Sequence, residues 1–126
     1  MTTPFQLTFR HLPHSDALAS HVLLRATQIC LLSDRITAGH VVMDLAGHHR
    51  KGHHYRCSIT IGVPSHDIIV HHEPHGDVSE TAQASVDLAF DEAERQLVEW
   101  ARRDRAGHRI LPLKHARRLR EWLSTD

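Results

Sequence analysis

Residues 53–74, HHYRCSITIGVPSHDIIVHHEP, limit most tightly what this chain can fold into. Tyr55, Cys57, Ile59 and Ile61 alternate with His54, Arg56, Ser58 and Thr60. A period of two with apolar residues on one side is the signature of a half-buried strand. Pro64-Ser65 makes a tight turn, and DIIVHHE over 67–73 sends Ile68 and Val70 back to the same side. Pairing symmetrically about that turn sets Cys57 opposite His72. A hairpin with one apolar face must be covered by something else in the chain.

The remaining sequence supplies the cover. Residues 5–11 alternate Phe5, Leu7 and Phe9 with Gln6, Thr8 and Arg10, another half-buried strand. After Pro13, Ser15 is placed to cap a helix with Asp16 in its first turn. Leu18, Val22, Ala26, Ile29 and Leu32 then recur at helical spacing, while Leu23, Leu24, Cys30 and Leu31 leave the other faces unusually apolar. Residues 36–46 read as a strand with Val41, Met43 and Leu45 inward, so three successive strands form an antiparallel meander. From about Asp77 to Arg105 the set Ala82, Val86, Ala89/Phe90, Ala93, Leu97 and Trp100 keeps a helical period. Asp77 or Ser79 is expected to cap this helix and Gly107 to close it, with i,i+4 pairs Asp91–Arg95 and Glu99–Arg103 on its surface. The order is β-α-β-β-β-α. It predicts an α+β two-layer sandwich, a four-stranded sheet with two helices packed on one face.

At 126 residues the chain has room for one domain with its own core. We expect that domain over 1–107, followed by a basic tail over 108–126. In the tail, KHARRLREWL carries Ala116, Leu119 and Leu123 on one side, the pattern of a short basic helix. No apolar run reaches the length of a membrane span, and MTTPFQLTFRH lacks the pattern of a secretory signal. Two cysteines, Cys30 and Cys57, on different elements point to a reducing, cytoplasmic compartment.

Formal net charge is zero, yet it is unevenly spread. Residues 1–94 hold six Lys/Arg against eleven Asp/Glu, whereas residues 95–120 hold nine against two. A segment that basic is suited to a polyanion.

Seven of the fourteen histidines lie between His48 and His72, which raises the question of a metal. Structural zinc needs four converging ligands. Neighbouring histidines on a strand, His53/His54 and His71/His72, point to opposite faces and cannot chelate together. His48, His49 and His53 lie on or beside a loop with no carboxylate or thiolate nearby in sequence, and Cys57 with His72 is the remaining candidate pair. We therefore expect no metal site and no cofactor, with a histidine-rich metal-binding module as the rival reading. No nucleophile elbow, HExxH or phosphate loop is present, so we expect no enzyme. RNA binding is the reading that accounts for the basic residues. The candidate contacts are Arg10, Arg25 and Arg56, the turn His48, His49, Arg50 and Lys51, and Arg95, Arg102 and Arg103 late in the second helix.

Certain stretches carry a resemblance: SDRIT at 33–37, HHRKG at 48–52, YRCSITIGVPSHDIIV at 55–70 and AFDEAERQLVEWARR at 89–103. Together they resemble the ribosome hibernation-promoting factor family, also called ribosome-associated inhibitor or sigma-factor modulation proteins, in its short form. The resemblance spans about residues 5–105. It implies a non-enzymatic factor that occupies the small ribosomal subunit near the decoding and tRNA sites, blocking mRNA and tRNA under stress or in stationary phase. It also implies that the basic tail enters the mRNA channel region. Two features depart from the family pattern. Arg25 is the only base in RATQICLL of the first helix, and no aromatic stands near Gln83. The apolar extras on the first helix suggest packing under a loop or tail, or else a homodimer surface.

Overall fold

The computed structural model describes residues 4–49, 52–74 and 80–104, with the backbone alone at 46–49, 52 and 53. Six elements follow in the expected order. They are β1 (Phe5–Arg10), α1 (Asp16–Cys30), β2 (Ala38–His49), β3 (Gly52–Val63), β4 (His66–His72) and α2 (Ala82–Arg103). The strands form one sheet in sequence order, β1 parallel to β2 and the other pairs antiparallel. α1 is thus the crossover between two parallel neighbours, and both helices cover the same face.

The β3–β4 register follows from the turn. Val63 pairs with His66 and Cys57 with His72, leaving Pro64-Ser65 as a two-residue connection. Ser65 takes a positive φ of 63°, the left-handed region a second turn position demands. Cys57, Ile59 and Ile61 are fully buried, as are Val41 and Met43 beside them on β2. From the helices Val22, Ala26 and Ile29 meet this row on one side, and Val86, Phe90, Ala93 and Leu97 on the other. Between β2 and β3 the register shifts by one residue, from Leu45↔Tyr55 to His48↔His53. That bulge carries the pairing on to His49↔Gly52. The two strands therefore run well into the stretch expected to be loop.

Ser15 caps α1 as anticipated, its Oγ accepting from the Leu18 amide at 3.2 Å. α2 differs at both ends. Its cap is Thr81, whose Oγ1 accepts from the Ala84 amide at 3.0 Å, so the helix starts later than its apolar period suggested. Asp77, Ser79 and Gly107, expected as caps, lie outside the described residues. Glu80, just before the cap, accepts from His72 Nε2 at 2.9 Å. The tail over 108–126 also lies outside the described residues.

Gly39 fits for a steric reason: a Cβ there would run into the ring of Phe5, its register partner on β1. Phe5 in turn lies 6.3 Å from Phe90 of α2, so the ring cannot swing away without loosening the core. Gly39→Val should destabilise the fold by about 1–3 kcal/mol through overpacking. Urea titration should further find Phe5→Ala/Gly39→Val less destabilised than the sum of the single changes, because one clash is shared.

Candidate nucleic-acid interface

The helices leave the opposite side of the sheet open, and strand alternation decides what it shows. Arg10, Asp44 and Arg56 share one cross-strand row, since Arg10 pairs with Asp44 and Asp44 with Arg56. Asp44 is the hub of that row. His11 Nδ1 donates to its Oδ1 at 2.9 Å, and Arg56 Nη2 lies 3.8 Å from Oδ2. The His11 hydrogen bond, helped by the charges of His11, Arg56 and Arg10, holds the Asp44 carboxyl below its ordinary range against a smaller burial effect. One carboxylate thus sits among three basic side chains.

The next rows are uncharged and rich in donors. Thr8 Oγ1 and His40 Nε2 are 2.8 Å apart across β1–β2, and Ser58 Oγ and His71 Nδ1 are 3.1 Å apart across β3–β4. Ile69 is half exposed beside them. His54, expected outward with Arg56, is instead buried, with Nε2 3.3 Å from a Glu73 carboxylate oxygen.

Arg25 requires a correction. Expected as an RNA contact, it is 7% exposed and lies between the two helices. Its guanidinium donates to Asp87 at 2.8 Å, Asp91 at 2.7 Å and Glu94 at 3.2 Å, with its Cζ 5.6 Å from the Phe90 ring centroid. Burial alone would lower its pKa; hydrogen bonds to Asp91 and Asp87 and the charge of Glu94 outweigh that and raise it. His21 Nε2 also donates to Asp87 at 2.7 Å. The sequence showed one base on an apolar helix, and the carboxylates that claim it lie more than sixty residues away.

The late bases of α2 are exposed but unequally committed. Arg95 donates to Glu92 at 2.7 Å and Glu99 at 3.0 Å rather than to Asp91, which Arg25 takes. These contacts raise the Arg95 pKa and bring Glu92 down to about 2. Arg103 pairs with Glu99 at 2.7 Å as expected. Arg102 is exposed and makes no ion pair among the described residues. His48, His49, Arg50 and Lys51 cannot be added to either group, because their side chains lie outside the described residues.

The sequence-predicted cations therefore fall into two groups. Arg10 and Arg56 share the open sheet face, at the end where β1 leads into α1. Arg102 and Arg103 end α2 in the helix layer, where Arg103 lies beside His66 of the β3–β4 turn. Thus the groups occupy opposite faces and opposite ends.

No three His, Cys, Asp or Glu side chains come together as a metal group among the described residues. Cys57 does pair with His72, but its thiol is fully buried and pushed up to about 12, while the imidazole turns to Glu80. The thiol is not poised as a metal ligand.

Residues 5–105 match the family model described as sigma 54 modulation protein / S30EA ribosomal protein. The chain belongs to this family. Two solved structures share the fold. The Protein Y N-terminal domain of Thermus thermophilus is 24% identical with a TM-score of 0.62, covering 79% of this chain and 99% of that one. A ribosomal subunit interface protein from Coxiella burnetii is 19% identical with a TM-score of 0.58, covering 76% and 94% respectively. Among curated proteins, none matches this sequence. No described helix of this family member is long and apolar enough to cross a membrane.

Two outcomes follow from the charge geometry. Arg25→Met strands the buried Glu94 carboxylate and should cost about 3 kcal/mol in urea unfolding, the low end for a broken buried pair because Asp87 and Asp91 reach solvent. Arg25→Met/Glu94→Leu should recover part of it. Asp44 is lowered in the folded state, so its stabilisation is present above its ordinary value of 3.8 and is lost as pH falls through the folded value. Asp44→Asn should flatten the acid limb of a stability-versus-pH curve below about pH 4.

Proposed function

We propose that this protein binds the small ribosomal subunit and its rRNA near the decoding and tRNA sites, and idles ribosomes under stress or in stationary phase. The observation that carries this reading is the family match over residues 5–105. The reading makes it a cytoplasmic binding factor, with inhibition coming from occupancy and not from chemistry.

The distribution of charge supports a particular manner of binding. An RNA contacting one flat surface could not meet both Arg10/Arg56 and Arg102/Arg103, because they lie on opposite faces. A cleft with RNA on several sides could meet both. Phosphates at the sheet end would be met by Arg10 and Arg56, joined by Arg50 and Lys51 between β2 and β3 in sequence; phosphates at the other end by Arg102 and Arg103. Such contacts release counterions and depend little on base sequence. Arg25 is left out of this contact set, and Arg95 enters only by giving up one of its glutamates.

Sucrose-gradient sedimentation with purified small subunits tests the proposal. Co-sedimentation should be strong at low salt and fall steeply as salt rises. Arg10→Glu/Arg56→Glu and Arg102→Glu/Arg103→Glu should each weaken binding at least about tenfold and flatten its dependence on log salt by roughly one to two. A protein that stays at the top of a low-salt gradient would sink the reading, as would charge reversals that leave binding untouched.

A further inference from the structure

The two helices run in the same direction: His21 meets Asp87 and Arg25 meets Asp91 at the same offset along the chain. Their facing flanks leave an open seam above the buried Arg25. On α1 that flank continues from His21 through Leu24 and Gln28 to Leu31, at alternating spacings of three and four. On α2 it runs through Asp87, Asp91, Glu94 and Val98. Leu24 and Leu31 are 40% and 46% exposed, and Val98 is half-buried. Asp87 and Asp91 also reach solvent, Asp91 with 52% of its side chain exposed. The seam is therefore apolar at Leu31 and Val98 toward the helix C-termini, where Arg95 and Arg102 border Val98, and acidic toward their middle. This polarity does not suit RNA.

We propose that the seam is the docking site of this chain's own C-terminal segment, residues 110–120, folded back antiparallel to α2. The order of residues matches. Beyond α2 come Ile110, Leu111 and Leu113, followed by Lys114, Arg117, Arg118 and Arg120. A chain reversing direction after Arg103 meets Leu31 and Val98 first with its apolar residues, and the two aspartates next with its bases. Residues 105–126 carry six Lys/Arg against two Asp/Glu, the charge the seam lacks.

Reach is sufficient. By the helix offset Leu31 is level with Leu97 and Val98, and α2 runs about five residues, roughly 8 Å, beyond that point. The residues from 104 to 111 span up to about 23 Å when extended, with Gly107 available for the reversal. A tethered segment also meets the seam at an effective concentration on the order of millimolar, which favours it over a second copy at micromolar concentration. A docked tail would be withheld from any other polyanion until something competes for it.

Paramagnetic relaxation in the full chain, without ribosomes, tests this independently of the proposed function. A nitroxide is placed at Ser124→Cys with Cys30→Ser, Cys57 being buried. Antiparallel docking carries residue 124 past the aspartates, so amide signals of the first turns of both helices, including Ala17, Ser20 and Ala84, should lose intensity. His66, at the end where the tail is attached, should lose less. Leu111→Asp/Leu113→Asp and Arg117→Glu/Arg118→Glu, which leave the folded domain unaltered, should each abolish the pattern, and high salt should weaken it. Broadening confined to the His66 end, or none, would overturn the proposal. So would broadening that grows with protein concentration or appears when labelled and isotope-enriched chains are mixed, which would make a second copy the occupant.

Discussion

A one-residue slip of β3 against β4 would turn Cys57, Ile59 and Ile61 to solvent and bring Arg56, Ser58 and Thr60 against the helices. The two-residue connection at Pro64-Ser65 prevents it by leaving no slack, even at the cost of a serine with positive φ. The same register fixes both surfaces of the protein. With Ile59 committed to the core, its neighbours on β3 must face outward, and the Arg10–Asp44–Arg56 row follows from pairing alone. Core and candidate interface are therefore two sides of one constraint.

Helix packing adds a second constraint, electrostatic rather than apolar. Strand order makes the two helices parallel, and three carboxylates of α2 around one guanidinium of α1 match their offset. Such a cluster is a poor source of net stability, since desolvation offsets much of the attraction, but it is unforgiving of other alignments. It also consumes the one base of α1. The exposed surface of the helix layer is left with Leu23, Leu24, Leu31, Leu88 and Asp91, and its arginines, Arg95, Arg102 and Arg103, all lie in the second half of α2.

The fold was legible because each element carried a clean period. Ile59 and Ile61 on β3, and Val86, Phe90 and Leu97 on α2, announced their faces by spacing alone. Even the Cys57–His72 pairing followed from turn symmetry. Two features were not legible, for physical reasons. Arg25 looked solvent-facing because its partners are distant in sequence, and local pattern contains no information about pairs formed by packing. The α2 start was misplaced because Asp77, Ser79 and Thr81 are all cap-type residues, and a period that begins at Ala82 does not choose between them; Thr81 decides the boundary. His54 is similar: alternation gave its side of the sheet correctly in register, but Glu73 at the end of β4 comes close enough to bury it.

The family's fold is thus kept, with the candidate cations divided between the sheet end and the α2 end. An α1 that gripped phosphate would need a free cation, and its only Lys or Arg is held by three acids at 3.2 Å or less. In the binding mode we propose, polyanion contacts then draw on the sheet end and the α2 end, which face away from each other. Two separated clusters place more demand on the shape of the partner than one continuous patch does, because both can be satisfied only by RNA that surrounds the protein. The proposed binding mode would therefore favour a structured cleft over free RNA, since a flexible strand could neutralise either cluster but would bend sharply to reach both.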